Sequence, residues 1–276
     1  MIKDIVVNLS VGARRDVAAD YAVSVAGALE AHLAGVAFSY EPAVPATIFD
    51  TASVAVLASY RVQAEQAAER AIARFEEAAR RAVLSIETRV LSAGTSDAGA
   101  LFGRLARGYD LSIVAQTEPD GDVAEDLILE GALFSSGRPV LVVPYIQTED
   151  FKLDRVLLCW DGSRSAARAI ADALPLLGRS KTIEVITIAT KDDNRGEIPG
   201  ADIVHHLARH RLKVELKRII APDMKVADTI LSHAADSSAD LIVMGGYGHS
   251  RLRELVLGGA TRGMLSVMTV PTLMSH

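Results

Sequence analysis

A single cysteine, Cys159, in 276 residues rules out an intrachain disulfide and a thiolate metal cluster. Its isolation within an apolar run suits a reducing cytoplasm. Aromatic residues make up only 5% of the chain, and alanine, valine and leucine dominate. That composition suits helices packed on buried parallel strands, whose apolar runs are continuous rather than alternating. No run reaches the length of a membrane helix, and the one after Met1 is too short for a signal peptide, so a soluble cytoplasmic protein is expected. No basic stripe interleaved with aromatics is present, and nucleic acid is therefore not an expected partner. Familiar phosphate fingerprints are missing as well. There is no G-x4-G-K-[ST] loop, no G-x-G-x-x-G after the first strand of either half, and no S-G-G-x-D-S loop.

What is present is organised as a duplication. Asp4-Ile-Val-Val-Asn-Leu-Ser10 resembles Arg155-Val-Leu-Leu-Cys-Trp-Asp161, and an alanine-rich helix follows each, near 14–31 and 163–178. Asp110-Leu-Ser-Ile-Val114 matches Asp240-Leu-Ile-Val-Met244, and the segment 137–144 matches 268–274. Each half reads as five strands alternating with helices. This predicts an α/β fold of two tandem open parallel five-stranded sheets with helices on both faces. Strands are predicted near 4–9, 33–39, 85–91, 111–115 and 139–143, then 154–160, 182–189, 213–220, 240–244 and 269–274. A polar connector at 145–153 separates domains at 1–146 and 152–276. A long helix near 54–83, with glutamates and arginines on a solvated face, has no equal in the second half.

The halves also differ in charge. Residues 1–150 carry 12 Lys+Arg and 21 Asp+Glu, a net −9, whereas 151–276 carry 17 and 14, a net +3. An anionic ligand is more comfortable on the second half.

That half holds the segment with most chemistry in it. An apolar strand, 241–244, runs into a glycine turn, then a helix, then two more glycines, with Gly245, Gly248 and Gly258 spaced G-x2-G-x9-G. Glycine lets backbone N–H groups approach an anion without a Cβ intervening. Tight turning and close helix packing would demand the same residues, and both readings stand. At the end of the half's first strand lies Asp161-Gly-Ser163. In an open parallel sheet these two strand ends border the crevice where strand order reverses. Asp161 and Ser163 could face a ligand there or cap the following helix, and Ser250 reads as the N-cap of a helix over 251–267. His249 could touch a phosphate or be a plain turn residue. His205, His206 and His210 include an i, i+4 pair able in principle to hold zinc, but no third ligand is evident and surface histidines are the simpler reading. No nucleophile and base can be assembled from spacing.

On Val156–Ser163, Met244–Ser250 and Leu257–Arg262 the second half resembles a universal stress protein domain, and the whole chain resembles the tandem members of that family. The resemblance implies a Rossmann-like, adenine nucleotide α-hydrolase-like fold. It implies that Asp161 contacts the adenosine part of ATP, that backbone near Ile188 meets the adenine, and that Gly245, Gly248, Gly258 and Gly259 bind ribose and phosphates. ATP or AMP, with or without Mg, is the implied cofactor. Gly259 stands where ATP-binding members usually carry Ser or Thr, which removes a hydroxyl donor worth on the order of 0.5–1.5 kcal/mol. This would weaken binding or favour AMP over ATP. The same positions in the first half fall on Ser10, Ala115, Glu118 or Asp120, and Glu130, so carboxylates would face the phosphates and ATP binding is not expected there.

The functions in view are a non-catalytic stress-response or signalling module binding an adenine nucleotide, a nucleotide-free scaffold, and a weak ATP hydrolase. Family domains pair through their last strands. Here Val140–Val143 and Val270–Met274 are expected to pair within the chain as a pseudo-twofold, with a homodimer of whole chains as a further assembly.

Overall fold

A computed structural model of the chain describes residues 1–41, 51–119, 121–189, 200–246 and 259–276. These form two compact units, one of Ile2–Arg138 with Thr148–Asp150 and the other of Phe151–His276 with Pro139–Gln147 and Met1.

The first unit runs β1 (Asp4–Leu9), α1 (Val17–Leu29), β2 (His32–Glu41), α2 (Thr51–Arg81), β3 (Ile86–Gly94), α3 (Thr95–Ala106), β4 (Leu111–Ala115) and α4 (Val123–Ser135). Its strands are parallel in the order β3-β2-β1-β4. Ile5, Val6, Val7 and Leu9 of β1 are all buried, which explains why the strand shows no alternation in sequence. The Asp16 carboxylate begins α1 by accepting the Ala19 N–H at 3.0 Å. Along α2, Ala68, Ala71, Phe75 and Ala79 form the buried stripe, while Glu65, Glu69, Glu77 and Arg80 are exposed, the solvated face expected of this helix. Helices α3 and α4 touch through glycine. A Cβ on Gly99 would strike the Leu127 carbonyl, and one on Gly131 would strike the Gly99 carbonyl.

The second unit takes in β5 (Val140–Val143), β6 (Arg155–Cys159), α5 (Arg164–Leu177), β7 (Thr182–Ala189), α6 (Ala201–Arg209), β8 (Val214–Ile220), α7 (Val226–Ser237), β9 (Leu241–Gly245), α8 (Gly259–Val267) and β10 (Thr272–Ser275). Strands β8, β7, β6, β9 and β10 follow one another in parallel. Strand β5, which completes the first half in sequence, groups with this unit. It lies antiparallel to β10 in the register Thr272↔Val142, Leu273↔Leu141 and Met274↔Val140. These are the two strands expected to pair. β10 starts later than expected, after Pro271, whose missing N–H cannot join the ladder although its carbonyl accepts the Ile242 N–H at 3.0 Å.

In each unit one central strand, β1 or β6, is flanked on one side by the strand that follows it in sequence and on the other by the strand three crossovers later. The carboxyl ends of β1 and β4, and of β6 and β9, therefore border the switch-point crevices.

Candidate functional site

The register Leu158↔Val243 brings the ends of β6 and β9 side by side, so the segment after Cys159 and the segment after Met244 are neighbours. Asp161 is exposed, and its Oδ1 accepts the Ser163 N–H at 2.9 Å. Its Oδ2 has no hydrogen bond to a described residue. Gly162, at φ +75, makes the left-handed turn between them. Ser163 is the N-cap of α5: its Oγ accepts the Ala166 N–H at 3.1 Å and lies 3.1 Å from Ser165 Oγ. Ser163 therefore caps α5, one of the two readings open for it.

Gly245 has a packing reason to be glycine. A Cβ there would come 2.5 Å from the Ala166 nitrogen and 2.6 Å from Ser165 Oγ, so the end of β9 rests directly on the first turn of α5. Gly246 continues the chain with its N–H on the Ser275 carbonyl at 2.8 Å. No atom of the described residues lies within 4 Å of the place a Cβ on Gly259 would take. Ile188 is half-buried in β7 and in register with Ile219 of β8. Gly248, His249 and Gly258, with Ser250, lie outside the described residues.

Three residues at these strand ends carry information that the motif reading missed. The Thr187 Oγ1 is buried and has no hydrogen-bond partner among the described residues. Its Cγ2 and the Leu216 Cδ1 each lie 3.0 Å from the position a Cβ would take on Gly200, and Trp160 Cδ1 lies 3.6 Å from it. Trp160, the only tryptophan, therefore follows β6 and lies near Gly200 together with Thr187 of β7 and Leu216 of β8; its rarity was the signal available in sequence. The Cys159 thiol, next to it in sequence, is pushed up to about 12 by burial and by the Asp161 carboxylate, which disfavours the thiolate at neutral pH.

On α6, His205, His206 and His210 are exposed, with the His206 and His210 rings edge to face at 4.9 Å between centroids. No group of three or more His, Cys, Asp and Glu among the described residues is placed to hold a metal ion. No described helix is long and apolar enough to cross a membrane.

The matching crevice of the first unit is built differently. Ser10 stands at the end of β1, with its N–H on Asp16 Oδ2 at 2.7 Å and its Oγ donating to Glu125 Oε1 at 3.1 Å. Ala115 ends β4, Glu118 is exposed beyond it, and Asp120 lies outside the described residues. Glu130 is exposed on α4; the α4 carboxylate bonded to Ser10 is Glu125, five residues earlier.

The sequence model of the universal stress protein family matches residues 152–276. A universal stress protein of Synechocystis sp. is 29% identical over 150 residues, which are 52% of this chain and 49% of that protein, so the match spans about half the length of this curated relative. Among solved structures, a universal stress protein from Archaeoglobus fulgidus superposes with a TM-score of 0.73 at 14% identity, covering 99% of this chain and 96% of that one. A functionally unknown protein from Pseudomonas aeruginosa reaches 0.64 at 16% identity over 99% and 92%. These likenesses establish a common fold over the whole length. Residues 152–276 thus match the universal stress protein family, and the whole chain, upstream half included, shares the fold of these solved structures.

Proposed function

We propose that this stress-response family protein binds an adenine nucleotide, ATP or AMP, in the crevice of its second unit, and acts as a ligand-responsive module rather than as a catalyst. One observation carries the reading. An exposed carboxylate with an uncommitted oxygen, Asp161 Oδ2, stands at the switch point beside the strand that leads into the Gly245 turn. A carboxylate there accepts hydrogen bonds from ribose hydroxyls or an adenine amine, the backbone at Ile188 meets the base edge, and the glycine-rich segment through Gly248, Gly258 and Gly259 holds the phosphates. Magnesium would accompany the triphosphate only. The domain boundaries on this reading are 1–146 and 152–276, the protein works in the cytoplasm, and whole chains can pair further as a homodimer.

A second reading, a nucleotide-free scaffold, is favoured by a feature that subtracts a phosphate donor: Gly259 has no hydroxyl. The test is denaturing extraction of freshly purified protein followed by chromatography for adenine nucleotides, with Gly248→Glu beside it. Near one nucleotide per chain in the wild type and none in the variant supports the occupied site. None in either, with no thermal shift on adding ATP or AMP, supports the scaffold. Phosphate release above background that Asp161→Ala abolishes would make the protein a slow hydrolase instead.

A further inference from the structure

The first unit carries polar side chains where its interior should be apolar. Val6 of β1 and Ser112 of β4 are register partners, as are Asn8 of β1 and Val36 of β2. Alternation along each strand therefore sets Asn8 on the face of Val6, and Phe38 and Tyr40 on that of Val36, while Ser10 and Gln116 come just past the ends of β1 and β4. Asn8, Ser10, Ser112 and Gln116 are each less than a tenth exposed, Asn8 at 5%. The Asn8 Oδ1 and the Ser112 Oγ are buried without a hydrogen-bond partner among the described residues, an arrangement that folded proteins avoid unless something supplies the missing donor.

The end of β1 leads to a carboxylate. Ser10 Oγ, two residues past Asn8, donates to Glu125 at 3.1 Å, so the carboxyl end of β1 meets the start of α4. Burial raises the Glu125 carboxyl, and the carboxylates of Asp122, Glu118 and Asp126 raise it further, while the Ser10 hydroxyl opposes the shift. Tyr40 feels the same group: its phenol is pushed up to about 12 by burial and by Asp122 and Glu125. Its ring stacks on Phe38 with centroids 6.0 Å apart. The nearby guanidinium, Arg74, is turned to the Ser10 carbonyl at 3.4 Å. The crevice therefore offers acceptors and an aromatic ring, the complement of a donor-rich cation and the opposite of what a phosphate needs.

We propose that the crevice at the carboxyl ends of β1 and β4 binds a small organic primary ammonium, held by Glu125 and by the buried amide oxygen of Asn8 beside Tyr40. The ammonium supplies the donor that Asn8 lacks and the charge that the Glu125 cluster lacks. The site is independent of nucleotide binding in the second unit.

The test is calorimetric titration of the full chain with 1,4-diaminobutane at physiological salt, with 1,4-butanediol as the uncharged control. Wild type should bind the diamine saturably and ignore the diol. Glu125→Gln and Asn8→Leu should each weaken binding at least tenfold. Asn8→Leu removes the unpaired acceptor at nearly constant volume, so its melting temperature should hold or rise, which separates lost binding from lost folding. No saturable heat up to millimolar diamine, or binding unchanged in either variant, overturns the proposal. A parallel ATP titration keeps the two readings apart: Glu125→Gln should leave it unchanged, and its loss would place a nucleotide in the first unit and overturn the ammonium site.

Discussion

Nε2 of His233 on α7 lies 3.0 Å from Oε2 of Glu184 on β7, and both side chains are about nine-tenths buried. A histidine and a glutamate so placed satisfy one another, and removing one leaves the other without a partner in a site that water reaches poorly. His233→Ala should therefore destabilise the chain by about 3 kcal/mol, whereas Glu184→Gln, which keeps a hydrogen-bonding group in place, should cost about 1 kcal/mol. Urea unfolding of both variants checks the order; equal costs would mean that the contact contributes little.

Asp16 makes the stability of the first unit depend on pH. Burial pushes its carboxyl up to about 6 from 3.8, against the pull of the Ala19 and Ser10 N–H groups. The folded state then holds the proton more tightly than the unfolded one. Stability from this group is full below about pH 4 and is lost as pH rises toward 6, by at most about 3 kcal/mol. Asp16→Asn keeps a helix-capping oxygen and should flatten that slope, which thermal melts between pH 4 and 7 will test.

Gly245→Ala should be costly whether or not a nucleotide binds, by roughly 2–4 kcal/mol, because the added methyl meets the backbone of Ser165 and Ala166. Asp161→Ala makes the cleaner probe. It loses one exposed hydrogen bond, should cost under about 1 kcal/mol in stability, and should weaken adenine nucleotide binding roughly tenfold. If the two variants lose stability equally, the packing account of Gly245 fails.

The space that the described residues leave around Gly259 permits a gain. Gly259→Ser supplies a hydroxyl and a better helix residue, so nucleotide affinity should rise about threefold to tenfold, with a few tenths of a kcal/mol in stability. Competition titrations with ATP and AMP will show whether the rise favours the triphosphate, as a restored phosphate donor would.

Most of the architecture was legible because continuous apolar runs and alanine-rich helices are strong signals, and all ten strands appear with ends shifted by a few residues. The grouping of β5 with the second unit was not fully legible: Val140–Val143 looks like any buried strand, and periodicity says nothing about which unit a strand joins. At the site, Ser163 and Gly245 illustrate how one residue type answers two demands. A hydroxyl before a helix reads equally as cap or ligand, and a glycine after a strand reads equally as cradle or packing surface. Glu125 escaped notice because the first half was aligned to glycine positions, and a residue that reaches a crevice from a helix flank keeps no such spacing. Thr187 and Asn8 look like ordinary strand residues until their unmet hydrogen bonds are counted.

The antiparallel seam between β5 and β10 bears on how the protein can be divided. A fragment cut in the polar connector, beginning at Phe151, would leave the free flank of β10 as a row of unsatisfied amides and carbonyls, which another molecule's strand could fill. Such a fragment should self-associate through that edge, whereas one beginning at Pro139 would carry its own cover. The connector that divides the two repeats in sequence is thus the wrong place to separate them as material.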